Sequence, residues 1–136
     1  FQKHLLVLEL TGYYYPFGAA HGMPSRSYPH IDLVTGQFYT LADLFKKDRD
    51  YVKRLSEIIQ KQIDSGESEF ASYLFPDAYK GIKRNQPFYV HENELAIYFE
   101  PYEIAPYAAG FPTFYIPFAE IMDIIDTDGP FWRSFH

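Results

Sequence analysis

The chain has 136 residues, no cysteine and a net charge of -6, with 12 Lys and Arg against 18 Asp and Glu. That length fits one domain with a real core, and the lack of cysteine excludes disulfides and thiolate metal sites as its supports. The basic residues are scattered rather than striped, which argues against a nucleic-acid partner, and no apolar run is long enough to insert into a membrane.

The aromatic content is the outlier. Thirteen Tyr and thirteen Phe exceed what a core of this size needs, so some rings are expected at the surface, where Tyr suits a half-wet position. The chain starts at Phe1 with neither Met nor a basic n-region. It is expected to be a processed or excised segment, with any leader or anchor lying outside it.

Residues 3–15 read as one long strand, with Leu6, Leu8 and Leu10 alternating against Val7, Glu9 and Thr11. Apolar weight on both faces predicts a strand that is central or covered on both sides. Two Pro and two Gly mark residues 16–24 as a loop. A second strand is expected over 27–34, with Tyr28, His30 and Asp32 on one face and Ile31 and Leu33 on the other, before a turn at Thr35-Gly36.

Thr40 followed by Asp43 predicts a capped short helix with an apolar stripe of Leu41, Leu44 and Phe45. A longer helix follows Asp48, with Tyr51, Val52, Leu55, Ile58, Ile59 and Ile63 at helical spacing, and ends near Ser65-Gly66. Residues 67–82 fit a further helical turn interrupted by Pro76. Residues 88–90 and 95–100 predict a hairpin, with Leu95, Ile97 and Phe99 facing the core. Residues 113–116 form a last strand that Pro117 places at an end or edge. Residues 118–125 suggest a short amphipathic helix through Ile121, Met122 and Ile125, and 126–136 a tail, giving a domain over 1–125. Strands, helices and then strands predict an α+β fold, an antiparallel sheet with helices layered on one face.

The segment between the hairpin and the last strand, Glu100-Pro101-Tyr102-Glu103-Ile104-Ala105-Pro106-Tyr107-Ala108-Ala109-Gly110, is irregular and aromatic. Its prolines fix φ and remove donors, so it extends neither helix nor ladder. Tyr102, Glu103, Tyr107 and Phe111 are candidate contacts there, with Tyr102 expected inward and Tyr107 and Phe111 outward. The competing reading folds these rings back on the core as a lid. A second candidate surface is the aromatic loop around Tyr14, Tyr15, Phe17 and His21. For His21, pinning the loop through a backbone carbonyl is favoured over ligand contact.

His30 and Asp32 share a strand face and supply two of the three or four ligands zinc needs. Glu100 and Glu103 invite comparison with a glycosidase pair, although carboxylates bounding a loop more often accept backbone N–H groups. No catalytic residue, metal or cofactor is assigned, and no P-loop, dinucleotide fingerprint or nucleophile elbow is present.

Four ordered motifs carry a resemblance. They are Gly18-Ala19-Ala20-His21-Gly22, Ile31-Asp32-Leu33-Val34-Thr35-Gly36, Tyr39-Thr40-Leu41-Ala42-Asp43-Leu44-Phe45, and the 100–110 segment followed by Tyr115-Ile116-Pro117-Phe118. From about Leu5 to Ile125 the chain resembles the DUF3298 family, the RsiV-like C-terminal domain. That family occurs in bacterial envelope proteins, including a lysozyme-sensing anti-sigma factor and relatives beside peptidoglycan deacetylase domains. The resemblance implies a non-catalytic extracytoplasmic module that recognises a lysozyme-like protein or a cell-wall glycan. Two alternatives stay open: a cell-wall hydrolase or metal-dependent enzyme built on Asp32, Glu100, Glu103 and the histidines, and a structural accessory domain.

Overall fold

A computed structural model describes residues 3–15, 17–18 and 22–136. Its first feature is a hairpin whose ladder is interrupted once. Strand β1 (Leu5–Val7) pairs with β4 (His30–Asp32), and β2 (Leu10–Tyr14) pairs with β3 (Met23–Ser27), both antiparallel. The registers Val7 to His30 and Leu10 to Ser27 belong to the same pairing, so the strands run on without a slip. The break falls opposite Pro29, which has no N–H to donate. Its carbonyl still accepts from the Leu8 N–H at 3.1 Å.

This corrects the expected first strand in two ways. It is two strands, and only its beginning is covered: Leu5 is fully buried, whereas every residue of β2 is exposed. The apolar residues of β2 therefore form a protruding ribbon rather than a central strand. The partner is corrected too, because β3 begins at Met23, inside the expected loop. In β4 the polar residues point inward: His30 and Asp32 are buried, while Leu33, just past the strand, is exposed.

The Thr40 cap forms as expected. Thr40 donates its N–H and its hydroxyl to the Asp43 carboxylate, at 2.8 and 3.1 Å, and a 3-10 turn over Leu41–Leu44 buries Leu41 and Leu44. Helix α1 (Tyr51–Ser65) is capped by Asp50, whose side chain accepts from the Lys53 N–H at 3.1 Å. Gly66 closes it in the left-handed region, φ 74°. Its buried stripe of Tyr51, Leu55 and Ile59 leaves Lys53, Glu57, Gln60 and Lys61 to solvent.

Strands β5 (Phe88–Val90), β6 (Glu94–Tyr98) and β7 (Thr113–Pro117) form an antiparallel meander with β7 at one edge. Leu95, Ile97, Phe114 and Ile116 point into one hydrophobic cluster with Leu55 and Ile59 of α1, which makes the architecture α+β. The opposite face of β6 is also covered. Ala96 and Tyr98 are buried, Ala96 in the same register row as Tyr89 and Tyr115.

The C-terminal segment brings two further corrections. Residues 118–125 form turns rather than an amphipathic helix, with Ile121, Ile124 and Ile125 buried and Met122 exposed. Residues 126–136 are not a tail: Pro130 starts helix α2 (Pro130–Ser134), and Phe131 and Phe135 enter the core. Phe131 stacks on Tyr39 with centroids 4.6 Å apart and meets His30 edge-on at 5.6 Å. Among the described residues no helix is long and apolar enough to cross a membrane.

Candidate functional site

The loop from 100 to 112 is closed at its neck, where the Phe99 N–H donates to the Pro112 carbonyl at 2.9 Å. Ile104 anchors its middle: its side chain is buried and its carbonyl accepts from the Phe75 N–H at 2.8 Å. Pro101, Ala105 and Pro112 are buried as well. These buried residues hold the loop to the core.

The ring directions reverse the expectation. Tyr102 is exposed and holds φ of 72°, which is unusual for a residue with a Cβ. Phe111 is half-buried, with the Arg26 guanidinium 4.3 Å from its ring centre and Tyr98 edge-on at 6.1 Å. Tyr107, also half-buried, lies 5.6 Å from Tyr102. The exposed ring belongs to the residue at the backbone irregularity, and Phe111 stays down because a cation from β3 covers it.

The two candidate surfaces meet. The Tyr13 hydroxyl of the ribbon hydrogen-bonds to Tyr107 of the loop, and this bond, followed by burial, raises the Tyr13 pKa. The Tyr13 ring lies over Gly22: a Cβ at residue 22 would fall 1.9 Å from Tyr13 Cε1. Only a residue without a side chain fits beneath the ring. Tyr14, Tyr15 and Phe17 are exposed on the ribbon and Tyr102 on the loop. His21 lies outside the described residues.

Glu103 and Asp32 are engaged in holding the structure. Glu103 accepts the Glu100 N–H at 3.1 Å through Oε1, and its Oε2 lies 3.8 Å from the Lys83 ammonium. Burial and then the Glu103 charge raise the Glu100 pKa. Asp32 accepts the Tyr39 hydroxyl at 2.5 Å and the Val34 and Thr35 N–H groups at 2.9 and 3.2 Å. The Tyr39 bond is the first cause of its lowered pKa. His30 uses both ring nitrogens: Nε2 accepts the Val90 N–H at 3.1 Å, so Nδ1 carries the proton and donates to the Tyr28 carbonyl at 2.7 Å. Burial lowers its pKa to about 4. His30 and Asp32 share a face, as read from their spacing, but as packing and turn-forming groups. Among the described residues no cluster of three His, Asp or Glu is placed to hold a metal ion.

Sequence reasoning passed over the cover on the outer sheet face. Tyr28 lies 4.4 Å from Tyr89 and 5.5 Å from Tyr98, and the Tyr98 hydroxyl donates to the Arg26 carbonyl at 3.1 Å. The signal was the Arg26-x-Tyr28 alternation, hidden by placing the strand start at Ser27.

The DUF3298 family, described as a protein of unknown function, matches residues 42–119. Anti-sigma-V factor RsiV of Bacillus subtilis is 31% identical over 105 residues, 72% of this chain and 36% of that protein. The peptidoglycan-N-acetylmuramic acid deacetylase PdaC of Bacillus subtilis is 26% identical over 107 residues, 77% of this chain and 23% of that protein. The chain therefore spans about a third and a quarter of these relatives. Two crystal structures of DUF3298 proteins share the fold. One, from Bacteroides fragilis, has a TM-score of 0.71 at 23% identity, over 90% of this chain and 49% of that one. The other, from Pseudomonas aeruginosa, has a TM-score of 0.73 at 20% identity, over 92% and 57%. On the match over 42–119 and the shared fold, the chain belongs to the DUF3298 family.

Proposed function

We propose that the chain is a non-catalytic extracytoplasmic binding module. Its contact surface is the aromatic junction of the β2–β3 ribbon with the 100–111 loop, and its partner is a lysozyme-like protein or a cell-wall glycan. The observation that carries this reading is the Tyr13–Tyr107 bond, which joins the ribbon to the irregular loop, two segments that expose Tyr14, Tyr15, Phe17 and Tyr102. Tyrosine rings supply rigid amphipathic contact area at low entropic cost. The relatives support a module rather than an enzyme. Similar segments occur as a minor part of proteins named for two different roles, an anti-sigma factor and a deacetylase. We take residues through 136 as one domain, because α2 shares the core.

Calorimetric titration with lysozyme and with peptidoglycan fragments tests this. Binding is expected with one of them, weakened in Tyr14→Ala, Tyr15→Ala and Tyr102→Ala. Absence of heat with both at high micromolar concentration removes the proposal.

A further inference from the structure

A cleft of about 670 Å³ opens between the end of β3, the Thr40 turn and the approach to β5. That is the size of a small-molecule site. Tyr28, Leu41, Pro87 and Phe88 give it apolar walls. No carboxylate lines it, although the chain has 18 acidic residues against 12 basic, and two arginines do, Arg26 and Arg84.

Most polar groups in the cleft already have partners. Gln86 donates to the Tyr98 carbonyl at 2.7 Å and accepts from the Lys83 N–H at 3.1 Å. Tyr39 donates to Asp32, and Tyr98 to the Arg26 carbonyl. The guanidiniums differ. Among the described residues neither makes an ion pair or a side-chain hydrogen bond; Arg26 lies over the Phe111 ring and Arg84 is 5.9 Å from the Tyr51 ring centre. Each cation lies against a ring outside the cleft lining, Phe111 for Arg26 and Tyr51 for Arg84, and these ring contacts leave its N–H donors for a ligand.

A neutral sugar needs many hydrogen-bonding groups around it, and this cleft offers few. An apolar body with one anionic head matches what is left: ring and aliphatic walls for the body, and unpaired guanidiniums for the head. We infer that the cleft between Arg26 and Arg84 is a second binding site, one for an amphipathic organic carboxylate. Aryl and fatty carboxylates share this chemistry.

Titration of the intact protein with 2-naphthoate, decanoate and neutral 2-naphthamide, followed by calorimetry and by amide chemical shifts, tests the inference. At least one carboxylate is expected to bind, with shifts confined to the cleft, and naphthoate alone or decanoate alone identifies the aryl or the fatty source. The amide is expected to bind at least about tenfold more weakly than naphthoate where naphthoate binds. Arg84→Gln and Arg26→Gln should each weaken carboxylate binding about tenfold and leave amide binding unchanged. Arg84 is exposed, so its variant folds, and melting curves check both. Equal affinity of naphthoate and naphthamide, carboxylate binding unaffected by both substitutions, shifts at residues 10–15 of β2 and its end instead of the cleft, or no binding of either carboxylate overturns it. None of these outcomes bears on lysozyme or peptidoglycan binding at the junction.

Discussion

His30 stands where a neighbouring strand would stand: its Nε2 accepts the Val90 N–H from the edge of β5 at 3.1 Å. The ring is stacked on Phe88 with centroids 4.5 Å apart and is almost wholly buried. Burial disfavours the charged ring, which is why the pKa falls from 6.5 to about 4, and protonation also removes the acceptor for Val90. The unfolded chain takes up the proton near pH 6.5 and the folded chain only near 4, so stability falls as pH drops through that window. The loss is expected to reach about 3 kcal/mol and to add nothing further below pH 4. Urea melts across the window check this against His30→Phe, which keeps the stack but cannot titrate. The variant should be less stable at neutral pH, by about 1–3 kcal/mol for the unpaired Val90 N–H, with a flatter pH dependence. Equal slopes in the two proteins would exclude His30 as the titrating group.

Phe131 and Tyr39 tie the C-terminus to the first half of the chain, with rings 4.6 Å apart and nearly parallel. Phe131 is fully buried and also meets His30 and Phe135. Phe131→Ala should therefore cost about 3–5 kcal/mol, as for other large core truncations. Removal of residues 126–136 should cost more, leaving little of the roughly 5–15 kcal/mol that a domain possesses. Thermal melts followed by circular dichroism decide this: a truncated chain with an unchanged midpoint would make α2 a dispensable appendage.

Where the sequence was legible, one physical signal acted over a contiguous window. Helix α1 has period-3.6 apolar spacing, an Asp at its start and Gly66 at its end, and all three agree. The β5–β6 hairpin and the Pro117 strand end have equally local causes. What was not legible depends on partners distant in sequence. The split between β1 and β2 is caused by Pro29, about twenty residues along, and the coverage of Tyr98 by Tyr28 and Arg26. Helix α2 is too short for periodicity, although Pro130 before Phe131 and Phe135 at i, i+4 marked it. In the candidate site, composition pointed to the aromatic segments, but the directions of Tyr102 and Phe111 came from a backbone φ and a cation on β3.

Gly22 lies beneath the Tyr13 ring so closely that any Cβ must displace it. Gly22→Ala is expected to push the ring aside and break the Tyr13–Tyr107 bond. Because all of β2 is exposed, global stability should change by less than about 1 kcal/mol. Amide exchange in residues 10–14 and 107–110 should accelerate together, and binding at the junction should weaken. Tyr13→Phe removes the hydroxyl alone, and should loosen the loop without moving the ring. If exchange accelerates in the ribbon but not in the loop, the two segments are not coupled.

Tyr102 separates binding from stability. Its φ of 72° costs a residue with a Cβ about 1 kcal/mol, a cost that glycine does not carry. Its ring is about half exposed, so truncation gives up little buried area. Tyr102→Gly should therefore leave the melting midpoint within a few degrees, relief of the backbone offsetting the lost contact with Tyr107 and the added freedom of the unfolded chain. Tyr102→Val loses the same ring and adds a β-branched side chain to a left-handed backbone, so it should be less stable than the Gly variant by about 1–2 kcal/mol. Both variants should bind the junction partner more weakly, and to a similar degree. A Gly variant with full affinity would place Tyr102 outside the contact surface, whatever its effect on stability.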